Sequence, residues 1–251
     1  MRMQTSSPRR LAEMTWPQIQ ALVASGETLC LLPVGATEQH GRHLATGTDT
    51  FIAEAICGAA SARTGVPMLP GLAVSSSGAH THAWPGTFSF GPRLLIEMVL
   101  ALAPWVESCG FSRLLIVNAH VGNAGPLAVA ADELRARGGL RVGLVHWFGL
   151  TDEIANRVTA DAQDWHAHAA ETSLMLHLRP DLVVTDEIVD DPDRTGDLVL
   201  TYTVAETSRT GATGAPSRGS AEEGRELFEL VTRALAQRIQ AARLERPPVG
   251  Q

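Results

Sequence analysis

The chain has no lysine, and all twenty of its basic residues are arginine. That excludes Schiff-base chemistry of the pyridoxal or aldolase kind, the Walker A lysine and the lysine of a kinase β3 strand. Cysteine is scarce too. Cys30, Cys57 and Cys109 are scattered and form no CxxC, so no disulfide framework is available and a reducing cytoplasm is expected. No apolar run approaches the ~18 residues that span a bilayer, and the polar start over residues 1–10 lacks a signal-peptide core. Basic charge is in deficit, 20 residues against 27 acidic ones for a net charge of -7, which argues against a nucleic-acid partner.

What is present is a hydrophobic fraction of 45% over 251 residues, sufficient for a sizeable core. Residues 1–10 read as a flexible tail and 11–251 as one domain, with no repeat and no linker to divide it. Leu11 to Ala24 has helical periodicity, with Thr15 as cap and Pro17 in the first turn. Leu29 to Val34 is short and apolar enough for one buried strand. Helices are expected over Asp49–Arg63, Pro92–Cys109, Ala124–Arg137, the second half of 162–178 and Ala221–Leu244. Buried strands are expected at Ser112–Asn118 and Leu140–Trp147, a short strand at Val66–Val74, and an edge strand at Leu198–Val204. Strand and helix alternate, and polar residues gather where strands end. This predicts an α/β fold, a three-layer sandwich with a central, mainly parallel sheet flanked by helices, whose site lies at the carboxyl ends of the strands.

The polar residues are chemically specific. After Val34 the chain reads Gly35-Ala36-Thr37-Glu38-Gln39-His40-Gly41-Arg42-His43, and Asp49 follows at the head of a helix. Glu38 and His40 are two apart, so an extended backbone directs both to one side. His120 ends the second strand motif, and His166 precedes Glu171 by little more than a helical turn. Carboxylates and imidazoles in this combination suit a hard-to-borderline divalent metal. Two ions about 3.5–4 Å apart need a bridging carboxylate. Glu38, Asp49 and His120 could hold one, and His40, Asp49 and Glu171 the other, with Asp49 as the bridge. A water between the ions would have its pKa lowered toward neutrality and become a hydroxide nucleophile. His166 could then carry the proton to a leaving nitrogen. His80, His82 and Trp84, in a polar loop at 75–87, together with Trp165 and Asn123, are candidates for contact with substrate. His43 could orient a ligand from behind. His168 and His177 read as ordinary helix residues.

Pro33-Val34-Gly35-Ala36-Thr37-Glu38-Gln39-His40-Gly41 with Thr48-Asp49-Thr50 resembles the signature of the creatininase (creatinine amidohydrolase) family. Asn118-Ala119-His120-Val121-Gly122-Asn123 is similar to that family's Asn-Gly-His-Gly-Gly-Asn motif. The run from His166 to Glu171-Thr172-Ser173 resembles its His-x4-Glu-Thr-Ser motif, and Trp84-Pro85-Gly86-Thr87 its Phe-Pro-Gly-Thr loop. The resemblance implies a metal-dependent hydrolase, a hexamer, and the same metal and shuttle residues as above; Zn, Mn and Fe(II) all fit two ions in such His/carboxylate ligation. It also implies a small amide or short peptide as substrate, while the acidic charge balance and the lack of a long apolar run point to neither nucleic acid nor membrane as partner. Departures separate the chain from creatinine-hydrolysing members: Gly122 stands where they carry Glu, and Arg42 replaces a proline. The Gly-rich form is nearer the formamide hydrolases and the mycofactocin precursor peptidases. A catalytically silent metal-binding scaffold is the rival of a different class.

Overall fold

A computed structural model describes residues 7–80 and 83–249. Three parallel strands, β1 (Leu29–Val34), β2 (Arg113–Asn118) and β3 (Arg141–His146), pair in the order β1-β2-β3. Their register sets Val34, Asn118 and His146 level with one another at the carboxyl edge. Side chains alternate between the faces of a strand, and each face here has its own apolar partner. Leu29 and Leu31 of β1, with Leu115 and Val117 of β2, pack on one cluster. Cys30, Leu32 and Val34, with Leu114 and Ile116, pack on another. A sheet buried on both sides is what makes β1 and β2 continuously hydrophobic.

The first face is covered by α2 (Thr48–Thr64), α5 (Asp152–Val158), α6 (Ala169–Leu178) and α8 (Ala221–Leu244), through Ile56, Ile154, Leu174 and Val231 among others. The second is covered by α3 (Pro92–Ser108) and α4 (Ala124–Arg137), with α1 (Trp16–Ala24) at the margin. Helices α6 and α8 approach very closely: a Cβ at Gly224 would overlap the Ser173 carbonyl, so only glycine fits there. Ser220 Oγ caps α8 by accepting from Glu223 N–H. Among the described residues, no helix is long and apolar enough to cross a membrane.

The structure corrects several sequence expectations. The helix expected from Leu11 is two pieces, a 3-10 turn at Leu11–Glu13 and then α1, because Thr15 and Gln18 form a capping box that restarts the chain at Trp16. Val66–Val74 runs parallel beside β1 but makes only isolated bridges at Met68 and Leu72. Pro67 and Pro70 lack the N–H groups that a continuous ladder needs. β3 is half-buried rather than buried, since no described residue pairs with its outer edge. Leu198–Val204 is not a strand. It is an irregular strap leading into a short turn of helix, α7 (Val204–Thr207), begun by the capping box Thr203/Glu206. Helix α5 was not expected, although Thr151 caps it by accepting from Ile154 N–H. The end of the expected N-terminal tail is docked: Leu11 N–H donates to Met68 O, and Met68 N–H to Arg9 O.

Candidate metal centre

Beyond the carboxyl edge of the sheet, the loops after β1 and β2 and the start of α6 converge. Glu38 and His40 come from the first loop, Asp49 from the first turn of α2, His120 from the end of the β2 motif and Glu171 from the first turn of α6; all five are buried. His40 Nε2 lies 3.5 Å from Asp49 Oδ1 and 3.6 Å from Glu171 Oε1. His120 Nδ1 lies 3.3 Å from Glu38 Oε1 and 3.5 Å from Asp49 Oδ2. Asp49 therefore divides its oxygens, one to each imidazole. These separations exceed hydrogen bonds, yet donor atoms that each stand about 2 Å from a shared ion lie roughly 3 to 3.5 Å from one another. Both oxygens of Glu38, Asp49 Oδ2 and His40 Nε2 are buried without a hydrogen-bond partner among the described residues. Orphaned buried carboxylate oxygens are costly, and a divalent cation would satisfy them. The donor set fits.

The imidazoles are held in defined orientations. His40 Nδ1–H donates to the Glu38 carbonyl at 3.2 Å, turning Nε2 to the centre. His120 Nε2–H donates to Ser76 O at 3.0 Å, which leaves Nδ1 for the centre. Asn118 braces His120, its Oδ1 accepting from His120 N–H and its Nδ2 donating to His120 O. Glu171 also divides its oxygens: Oε1 faces His40, while Oε2 accepts from Ala167 N–H at 2.7 Å and lies 3.3 Å from His168 Nδ1. Glu171 is thus both a first-turn acid of α6 and an inward-facing carboxylate. Ala167 adopts a left-handed φ of 48°, unusual without glycine, where the chain turns from His166 into α6.

His166 Nε2 lies 2.7 Å from Gln39 O, short enough to identify it as the protonated nitrogen, and Nδ1 faces Glu38 Oε1 at 3.6 Å. The Gln39 side-chain amide Nε2 then donates to Gly211 O at 2.9 Å and to His80 Nδ1 at 3.2 Å. Burial, reinforced by His80 and His40, holds the His166 imidazole well below its ordinary pKa, against the pull of Glu38. His80, expected at the substrate, lines the cavity and also stands within the cluster, with Nε2 3.6 Å from Glu38 Oε1. His43 bonds Thr172 Oγ1 at 2.8 Å, beside Glu171. Asn123 is fully enclosed: Oδ1 accepts from Ser76 N–H, and Nδ2 donates to Gly35 O and Asn118 Oδ1. It fastens the loops and is not among the residues lining the cavity. Trp84 is half-buried and does not line the cavity either, and His82 lies outside the described residues. Trp165 does line it.

Sequence reasoning missed Gln39, Ser76, His168 and Tyr202. His168 is buried as the residue preceding α6; its position three residues before Glu171 was the available signal. The others carried no signal, because a backbone carbonyl and a strap that folds over the site are contributions of tertiary structure. Together these parts enclose a cavity of about 430 Å³, within the range of small-ligand sites.

In the metal-free site, burial opposes charge on the imidazoles, but Glu38 and Asp49 outweigh it at His120, which is pushed up to about 9. His40 is likewise raised well above its ordinary value by Asp49 and Glu171. Both therefore carry protons at pH 7 that a metal must displace. Metal uptake at pH 7 is expected to release protons from these two rings, and the release should fade as pH rises past about 9. Calorimetric titration in buffers of different ionisation enthalpy measures this; heats independent of the buffer would contradict it. The same shift makes the His120 contribution to metal-free stability full below its ordinary 6.5 and lost as pH rises through about 9.

The fold and the buried carboxylate–imidazole centre define a metal-site α/β enzyme. A family model described as creatinine amidohydrolase matches residues 12–239. The mycofactocin precursor peptide peptidase of Mycolicibacterium smegmatis is 34% identical over 92% of this chain and 91% of its own length. The creatinine amidohydrolase of Pseudomonas putida is 32% identical over 95% and 97%. A solved structure of a Zn-Zn type mutant creatininase superposes with a TM-score of 0.82 at 28% identity, covering 96% of this chain and 100% of that one. The chain belongs to the creatininase family, and is an amidohydrolase acting on C–N bonds.

Proposed function

We propose that this enzyme cleaves the C–N bond of a small amide, a cyclic amide or formamide among them, at a centre of two divalent ions. Glu38, Asp49 and His120 would hold one ion, and His40, Asp49 and Glu171 the other. The observation that carries the reading is the division of the Asp49 oxygens between His40 and His120, beside carboxylate oxygens that no protein donor satisfies. Zn, Mn and Fe(II) all suit this donor set. When bound, such ions supply Lewis acidity and activate water near neutral pH.

The chain's own residues do the rest. His166 is neutral, with its Nε2–H fixed on the Gln39 carbonyl and its Nδ1 lone pair turned inward. It accepts a proton at Nδ1 and returns it to the departing nitrogen. Gln39 and Gly211 O hold that geometry against rotation. A second reading, peptidase action on a short precursor peptide, is favoured by the strap before α7. Leu198, Val199 and Leu200 are exposed there, Val199 at 95%, and Tyr202 turns into the cavity, so an apolar surface adjoins the mouth.

The test is hydrolysis of creatinine, formamides and short peptides by protein loaded with Zn or Mn. Turnover that a chelator abolishes and metal restores is the expected result, and cleavage of peptides alone would select the second reading. No turnover by fully loaded protein would leave a silent scaffold. We also propose one domain over residues 11–251, assembled as a homo-oligomer, a hexamer by family resemblance, in the cytoplasm. The 75% and 71% exposure of Trp16 and Trp105 supports burial against other copies, and three free thiols support a reducing compartment. Sedimentation as a single 26.7 kDa species would exclude the assembly.

A further inference from the structure

The cavity over the centre is lined by carboxylates and imidazoles. Among the described residues that line it none is arginine, in a chain with twenty. At the exposed rim stands Asp164, whose carboxylate makes no hydrogen bond or ion pair with any described residue. Its backbone is nevertheless fixed. Asp193 Oδ2 accepts from the N–H groups of Gln163 and Asp164, both at 3.0 Å, while Asp193 Oδ1 accepts from Thr195. The nearby Arg194 is committed elsewhere, to Asp191 Oδ1 at 2.6 Å and to Thr207 O at 3.1 Å. Asp164 is thus a presented, unpaired anion.

Two aromatic side chains share the lining. Trp165 follows directly, its ring set edge-on to Phe148 at 5.3 Å and 4.6 Å from His168. Tyr202, the one tyrosine in the chain, arrives from the strap before α7. An unpaired carboxylate favours a charge-assisted hydrogen bond from a cation, and aromatic faces attract the same charge.

We propose that Asp164, with Trp165 and Tyr202, determines specificity in this cavity by selecting amides that carry a protonated amine or similar compact cation away from the bond to be cut. This deepens, and rests on, the amidohydrolase reading. A neutral group at that end forgoes the ion pair, and an anionic one meets Asp164 with no arginine to offset it.

The experiment compares two linear amides of matched length, ε-aminocaproamide and its hydroxyl counterpart, by calorimetric binding to Zn-loaded enzyme. The wild type should bind the ammonium probe about tenfold more tightly, with the ratio shrinking as salt is added. In Asp164→Asn the ratio should fall to near one, and in Asp164→Glu it should return. A wild-type ratio near one, undetectable binding of the ammonium probe, or a preference that survives in Asp164→Asn would overturn the proposal. Ammonia release from the same samples reads hydrolysis separately. Preference without turnover would sustain the recognition and remove the reaction; turnover without preference would do the opposite.

Discussion

Asp49→Ala should strip the centre of metal. Asp49 is the one carboxylate that faces both His40 and His120, through different oxygens, so its loss removes a donor from each proposed ion at once. Even outer partners of metal ligands typically cost 10–100-fold in affinity or activity when removed, so a shared ligand should cost more than about 100-fold. Elemental analysis of purified protein should find close to two divalent ions per chain in the wild type, and one or none in the variant. Asp49→Asn, which keeps the shape and its place in α2, should behave alike and so separates loss of the donor from loss of fold. Wild-type protein that stays metal-free after incubation with Zn and Mn would sink the two-ion proposal. So would a variant that keeps both ions.

Gly122→Ala is expected to act almost as strongly without touching a ligand. A Cβ at Gly122 would collide with His120 Nε2 and stand 2.6 Å from Ser76 O, between the two atoms whose hydrogen bond orients the ring. The ring must rotate or the 75–77 segment must withdraw, and that segment is held by Asn123 and Ser89. Overpacking of this kind costs about 1–3 kcal/mol, and a displaced His120 should weaken metal binding by about 10–100-fold. Competition against a chromogenic chelator measures the affinity, and thermal unfolding of the metal-free protein the packing cost. Gly125→Ala is the control, because nothing lies within 4 Å of a Cβ there and alanine suits the start of α4. Equal metal affinity in Gly122→Ala and wild type would show that the Ser76 contact does not set the ring. The collision also explains why glycine suits this backbone at position 122.

By itself the sequence determined the class of fold and the chemistry of the centre. The short apolar runs at Leu29–Val34 and Leu114–Val117 read as strands buried on both faces, and parallel strands buried in this way end at a shared edge. The residues following those runs, Glu38, His40, Asp49 and His120, therefore meet there, while Glu171 is brought to them by the fold from the start of α6. Tertiary structure alone decided what surrounds them. Spacing places His80 in a loop, but only the fold of that loop over β1 and β2 sets it beside Glu38. Asn123 looked available and proved to be enclosed by Ser76 and Gly35. The strap at 198–203 has the composition of an edge strand, yet it finds no strand to pair with and instead brings Tyr202 to the cavity. Local periodicity reports which face of an element is buried. Which distant backbone carbonyl turns an imidazole, and which loop closes a cavity, depends on contacts between residues far apart in the chain, and no local pattern records them.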